Sequence, residues 1–395
     1  MTVQASTHQH APATPAAAPD WGALRAQFPA ASQFAYLDIG RKALLPLTVR
    51  ASMESWLDDV YENIGGNAFS MDGPEDTRDA IANVFGAPRE NIALVKNTSE
   101  GINIVAAGFP WRDGDNVVIS KLEHENNTFP WRHLQRRGIE ICWAEPDQQG
   151  RVTVDSYANA IDARTRIIAA AYVAYGNGYR ADLPDVAQFC REKGIKLIVD
   201  AIQGIGVLAA PISSLGADVL CTGGHKAQFS LTGAGFMYIT DEMIDLLDLT
   251  YAAKFSFTSI DRAVEKLELA PDAHRYEYGN PNFLGLWVQK RSAEFIHSIG
   301  LEHIEARVRS LTTYLIEELE ARQFKVLTPR PWGERAGLIS AAIDGNADEI
   351  ESSLRERGII AAAKDGNIRA GVHFYNNADD IDCFVEGLSS IARGH

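Results

Sequence analysis

The residues best suited to chemistry lie in the second half of the chain. Asp200 ends the apolar run KLIVD (196–200), Gln203 follows it, and His225-Lys226 lies inside GGHKAQFSLTGAGF (223–236). Lysine is among the residues least often fully buried unless paired, yet this one stands among glycines just before an apolar run. Glycine lets a backbone pass close to a ligand. A carboxylate, an amide and a lysine converging on a strand mouth suit pyridoxal phosphate. The lysine forms a Schiff base with the aldehyde, and the carboxylate keeps the pyridine nitrogen protonated so that the ring is a better electron sink. Opposite charges side by side favour the charged form of each group. Asp200 equally suits a helix cap after a strand.

Two further stretches belong beside these. In VKNTSEGIN (95–103) a strand turns into a helix through Asn97, Thr98 and Ser99. Free N–H groups at a helix start, with hydroxyls beside them, bind phosphate; the same pattern also fits a cap that binds nothing. In EHENNTFPW (123–131), His124 follows the apolar run NVVIS (116–120). A flat imidazole there can stack on a pyridine ring and move protons, or serve as a hydrogen-bonded structural histidine. His8 and His10 have no further ligands at useful spacing, so no metal site is expected.

These residues need a scaffold that brings strand ends together. Seven apolar runs, at 91–95, 116–120, 139–145, 166–175, 196–200, 217–223 and 235–239, read as buried strands. DLPDVAQFCREKG (182–194) reads as a helix, with Asp182 as cap, Pro184 in the first turn and Gly194 after the last. Such alternation predicts a mostly parallel sheet with ligands beyond the strands' carboxyl ends. The tail, with a long helical region at 283–323 and then shorter elements, predicts a smaller α+β domain. The expected division is a disordered tail at 1–20, a segment at 21–34 packing with the small domain, a large cofactor-binding domain at 35–280 and a small domain at 281–395.

Composition narrows the function. Of 395 residues, 46% are hydrophobic and 23% charged, as in a soluble globular protein. A net charge of −15 argues against nucleic acid or an anionic membrane as the main partner. No apolar run approaches the roughly 20 residues of a membrane span, and the first residues lack the basic start and apolar centre of a secretory leader. Four scattered cysteines, Cys142, Cys190, Cys221 and Cys383, fit a reducing cytoplasm.

Taken together, Asn97-Thr-Ser-Glu, Glu123-His124, Asp200-Ala-x-Gln203 and His225-Lys226 resemble the class V aminotransferase family of fold-type I pyridoxal-phosphate enzymes. Cysteine desulfurases, C–S lyases and isopenicillin N epimerase belong to it. YLDIGRKALLP (36–46), RYEYGNPN (275–282) and IRAGVHFYNNADDID (368–382) extend the likeness over most of the chain. The resemblance implies an α/β fold with a seven-stranded, mostly parallel sheet and a smaller C-terminal α+β domain. It implies that Lys226 is the Schiff-base lysine and proton shuttle, that Asp200 binds the pyridine nitrogen and that Gln203 binds the ring's phenolic oxygen. His124 stacks on the ring. Thr98, Ser99 and His225 bind the phosphate, joined by Asn280 of a second subunit, so a homodimer is expected. Arg369 holds the substrate's α-carboxylate through a bidentate fork.

Departures from the family bear on the reaction. Desulfurases carry a cysteine before the terminal arginine strand, whereas GIIAAAKDGNIR (358–369) has none. Cys383, in the last predicted helix, is expected to be a core residue. Gly223 stands where relatives often have serine, and Tyr175 where desulfurases have asparagine. Arg41 and Lys42 stand where relatives have small neutral residues; one of them is expected to bind a second negative group on the substrate, such as a side-chain carboxylate or sulfonate, or the two form a surface pair facing solvent. The expected activity acts on an amino acid through an external aldimine and a quinonoid, with β-elimination or C–S cleavage ahead of transamination and epimerisation. A catalytically dead binding protein would have lost Lys226 or Asp200, and both are present.

Overall fold

A computed structural model describes residues 18–259, 261, 263 and 265–392. Most of the tail expected to be disordered, with His8 and His10, lies outside the described residues. After a short strand β1 (Ala35–Tyr36), seven strands build the central sheet. They are β2 (Ile92–Val95), β3 (Asn116–Ser120), β4 (Glu140–Ala144), β5 (Thr165–Ala171), β6 (Lys196–Asp200), β7 (Val219–Gly223) and β8 (Gly235–Ile239). Their order is β2-β8-β7-β6-β5-β3-β4. β8 is antiparallel to both its neighbours, and the other adjacent pairs are parallel. The mostly parallel seven-stranded sheet read from the sequence is present, with the 166–175 run ending its strand at Ala171.

Side chains alternate across a strand, and here both faces are apolar. Val117, Ile119, Ile167, Ala169, Ile198, Val219 and Met237 join a core on one face. Val118, Ile168, Ala170, Leu197, Val199, Leu220 and Phe236 join a core on the other. Full burial of each larger side chain contributes about 1.5–3 kcal/mol, so a polar residue is tolerated only at a strand end. The helix Leu183–Lys193 leads from β5 into β6. Asp182 caps it by accepting the Asp185 N–H at 3.3 Å, and Gly194 stops it in the left-handed region at φ +66°.

The pairing gathers strand ends at one edge. Ala171 lies opposite Asp200, Asp200 opposite Cys221, and both Gly223 and Val95 opposite Gly235. Segments leaving β2, β3, β5, β6 and β7 therefore start side by side.

The C-terminal part begins with helices Phe283–Ile299 and Leu301–Ala321, broken at Gly300 (φ +88°). Strands β9 (Leu338–Ala341), β10 (Ile359–Ile360), β11 (Ala362–Lys364) and β12 (Asn367–Gly371) follow. β11, β12 and β9 form an antiparallel sheet, and β10 pairs with β1. The N-terminal helix Trp21–Ala26 is tied to the last helix, Ala378–Ala392, because the Arg25 guanidinium donates to both Asp380 carboxylate oxygens at 2.7 and 2.9 Å. Cys383 corrects an expectation: it is exposed, because Ile381, Phe384, Val385 and Leu388 form the helix's buried face and position 383 points away from it.

His373 is fully buried, its Nε2 3.2 Å from the Gly206 carbonyl, and burial pushes its pKa down to about 3. The unfolded chain, with an ordinary histidine, binds the proton more readily between that value and about 6.5. Stability therefore rises with pH across this window and is lost as pH falls below about 6.5. Urea unfolding at pH 5 should give a free energy about 2 kcal/mol lower from this group than at pH 7, a difference that should shrink in His373→Leu.

Candidate active site

Beyond the shared strand edge lies a cavity of about 310 Å³. It is lined by Thr98, Ser99, His124, Asp200, Gln203, His225, Lys226 and Arg369, with Arg41 at its wall. Distant parts of the sequence thus meet because those from Thr98 to Lys226 lie at or just after a strand end, while Arg369 comes from within β12. Lys42 does not line the cavity, and Asn280 is exposed in a separate cleft with Lys96, Glu100 and Tyr278.

Lys226 opens a tight turn in which its carbonyl accepts the Phe229 N–H at 2.9 Å. Phe229 holds φ +57°, unusual for a bulky residue. The conformation is fixed by packing against Phe28, His373 and Phe374, with ring centroids at 5.4, 4.8 and 5.4 Å. One of the two glycines before the lysine has a packing reason of its own. A Cβ at Gly224 would lie 2.0 Å from the Gln289 side-chain oxygen and 2.8 Å from Ser230, so protein packing alone demands glycine there.

Burial lowers the Lys226 amine to about 8; Asp200 opposes the shift and Arg369 reinforces it. Asp200, 6% exposed, accepts the Ile202 N–H at 3.0 Å. Burial pushes its pKa up, against that hydrogen bond and the charges of Lys226 and His124. Behind it, Glu123 accepts the Ala171 N–H at 2.6 Å and the Asn127 amide at 2.7 Å, and burial raises it to about 8. His124 accepts the Asn126 N–H on Nδ1 at 3.1 Å, which leaves the proton of the neutral ring on Nε2. Burial lowers its pKa, and its ring meets Tyr175 edge-on at 5.0 Å. Burial and the charge of Lys226 likewise lower His225. Gln203 donates to the Gly40 carbonyl at 2.9 Å, which leaves its second amide hydrogen free.

At the helix start, Asn97 accepts the Glu100 N–H at 3.0 Å. Cap and phosphate readings are therefore compatible, because the earlier N–H groups of the turn remain free. The Thr98 hydroxyl is buried without a hydrogen-bond partner.

Arg369, on β12, is 2% exposed. Its Nη1 donates to the Tyr175 carbonyl at 2.5 Å, its Nη2 lies 3.4 Å from Asp38, and its Nε is buried without a partner. A Cβ at Gly40 would lie 2.8 Å from this guanidinium and from the Leu338 side chain, so a larger residue there would have to displace them. Asp38 also pairs with Arg41 at 3.1 Å, and Arg41 reaches Glu351 at 3.1 Å. The cation expected to meet a substrate group is thus already held between two carboxylates.

The sequence reading missed Asp38, Glu351 and Lys364. Asp38 stands three residues before Arg41, a spacing at which opposite charges can meet. Glu351 carried no local signal, because it arrives from the helix Ala347–Glu356. Among the described residues, no group of three or more His, Cys, Asp or Glu is placed to hold a metal, and no helix is long and apolar enough to cross a membrane.

Residues 35–384 match the family described as Aminotransferase class-V. A probable cysteine desulfurase of Methanothermobacter thermautotrophicus is 28% identical over 93% of this chain and 97% of its own. The apo cysteine desulfurase of Thermococcus onnurineus superposes with a TM-score of 0.85 at 23% identity, covering 95% of this chain and 98% of its own. The cystine C–S lyase C-DES, in complex with its product cysteine persulfide, gives a TM-score of 0.85 at 20% identity over 92% of this chain and 99% of its own.

Proposed function

The chain belongs to the class V aminotransferase family of pyridoxal-phosphate enzymes, and from that premise we propose that it cleaves a carbon–sulfur bond of an amino acid by β-elimination, without collecting sulfur on its own thiol. The carrying observation is that none of its cysteines lines the cavity: Cys190 and Cys221 are buried in the core, Cys142 lies in β4 and Cys383 faces outward on the last helix. The named lyase and desulfurase relatives support the sulfur chemistry.

The residues fit the cofactor. The unpartnered Thr98 hydroxyl, the free N–H groups and the His225 ring make a cradle for a phosphate. Asp200 offers a buried carboxylate to a ring nitrogen. The unpartnered Arg369 Nε, beside its two Nη groups, offers a fork to a carboxylate. When bound, pyridoxal phosphate supplies an aldehyde that condenses with amines and a ring that draws electrons from Cα.

This chain's residues do the rest. Lys226, with a pKa of about 8, is roughly one-tenth uncharged at pH 7 and takes the Cα proton. Arg369 fixes the α-carboxylate, His124 covers the ring, and Gln203 donates its free amide hydrogen to the ring oxygen. Asn280 lies outside the cavity, so we place it over the phosphate of a second copy, with a homodimer as the working unit. Water, an S-substituted cysteine and enzyme then give a thiol, pyruvate and ammonium.

Product analysis of the holoenzyme tests this reading. Pyruvate and ammonium in equal amounts, with a free thiol, are expected. Alanine as the product would mean sulfur transfer, and a keto acid that keeps its sulfur would mean amino transfer; either contradicts the proposal.

A further inference from the structure

The cavity holds a cation that an α-carboxylate does not need. Lys364 lines the same cavity as Arg369, from the last position of β11. It pairs in register with Asn367 across a two-residue turn, Asp365-Gly366, with φ of +50° and +75°. Such a turn suits a tight hairpin and fixes where its flanking residues stand. The adjacent acid is engaged elsewhere, since Asp365 accepts the Tyr175 hydroxyl at 3.3 Å. Among the described residues no carboxylate lies within 4.0 Å of the Lys364 amine, and no hydrogen bond is made by it. Its charge reaches the site, lowering both His124 and Lys226.

Arg41 is the contrast, being paired with Asp38 and Glu351, carboxylates it shares with Arg369 and Arg355. We infer that Lys364, rather than Arg41 or Lys42, holds a second anionic group of the substrate, so that the enzyme prefers amino acids whose side chain ends in a carboxylate, sulfinate or sulfonate. The inference rests on the cofactor and Arg369 roles proposed above. A lysine is a point charge on a flexible stem, with none of the planar demand of arginine. It therefore selects for charge and tolerates differences in side-chain length.

The test titrates holoenzyme with L-aspartate, L-cysteate and L-asparagine, read by the change in the cofactor's visible absorption. Both acids should bind about tenfold more tightly than asparagine, as one charge-assisted hydrogen bond allows. Lys364→Met should remove most of that preference, and Lys364→Arg should retain it. The same acid-to-amide ratio in wild type and Lys364→Met overturns the inference. A lost ratio in Lys364→Met supports it even if the pyruvate assay fails, in which case the proposed reaction alone falls.

Discussion

Lys226→Ala is expected to lower turnover about 10⁴-fold, the upper range for removing a positioned proton-transfer group. The lysine has two tasks in the account: it presents an amine to the aldehyde and it moves the Cα proton. Both depend on the uncharged form, which burial favours by lowering the group to about 8. Alanine leaves the phosphate cradle, Asp200 and Arg369 in place, so the variant should still bind added cofactor. Borohydride should fix the cofactor to wild type and leave the variant unlabelled. Turnover within tenfold of wild type would remove Lys226 from the chemistry. The lysine's ionisation gives a second readout in the wild-type apoprotein. Its rate of cofactor uptake should rise with pH and level off above about 8.

Asp200→Asn should be the next most damaging change, lowering kcat about 10²–10³-fold, as loss of one preorganised electrostatic partner does. The substitution keeps the side chain's shape and the oxygen that accepts the Ile202 N–H. What it removes is the negative charge proposed to face the ring nitrogen. That charge also raises the Lys226 amine against its burial. Without it the amine loses its proton more easily, and the acidic limb of the pH–rate profile should move below about 8. A merely structural aspartate would lower the rate without moving that limb. An Asp200→Asn protein with wild-type kcat and an unmoved profile would contradict the assignment.

Much of this was readable from sequence, for a definite reason. β3, β6 and β8 begin and end where their apolar runs do, because strands buried on both faces permit no polar residue until the chain leaves the sheet. Each candidate that followed such a run, from Thr98 to Lys226, therefore had to surface near one edge. Arg369 was reached only through resemblance, since nothing local in NIRAG tells a buried arginine from an exposed one. Charge balance was the harder quantity. Arg41 and Lys42 looked like free cations in an acidic chain, but Glu351 comes from a helix more than 300 residues away and takes up Arg41. Lys364 carried no signal beyond a KDG turn, and its importance is its place on the cavity wall. Cys383 is exposed because it falls off the helix's apolar face of Ile381, Phe384, Val385 and Leu388, a spacing already visible in the sequence.

The most direct test of the account follows the sulfur itself. Holoenzyme is mixed with L-cysteine, stopped within a turnover and measured by intact mass and by its peptides. Pyruvate should form with no sulfur added to Cys142, Cys190, Cys221 or Cys383. A stable gain of one sulfur atom on any of these cysteines, with alanine as the co-product, would contradict it.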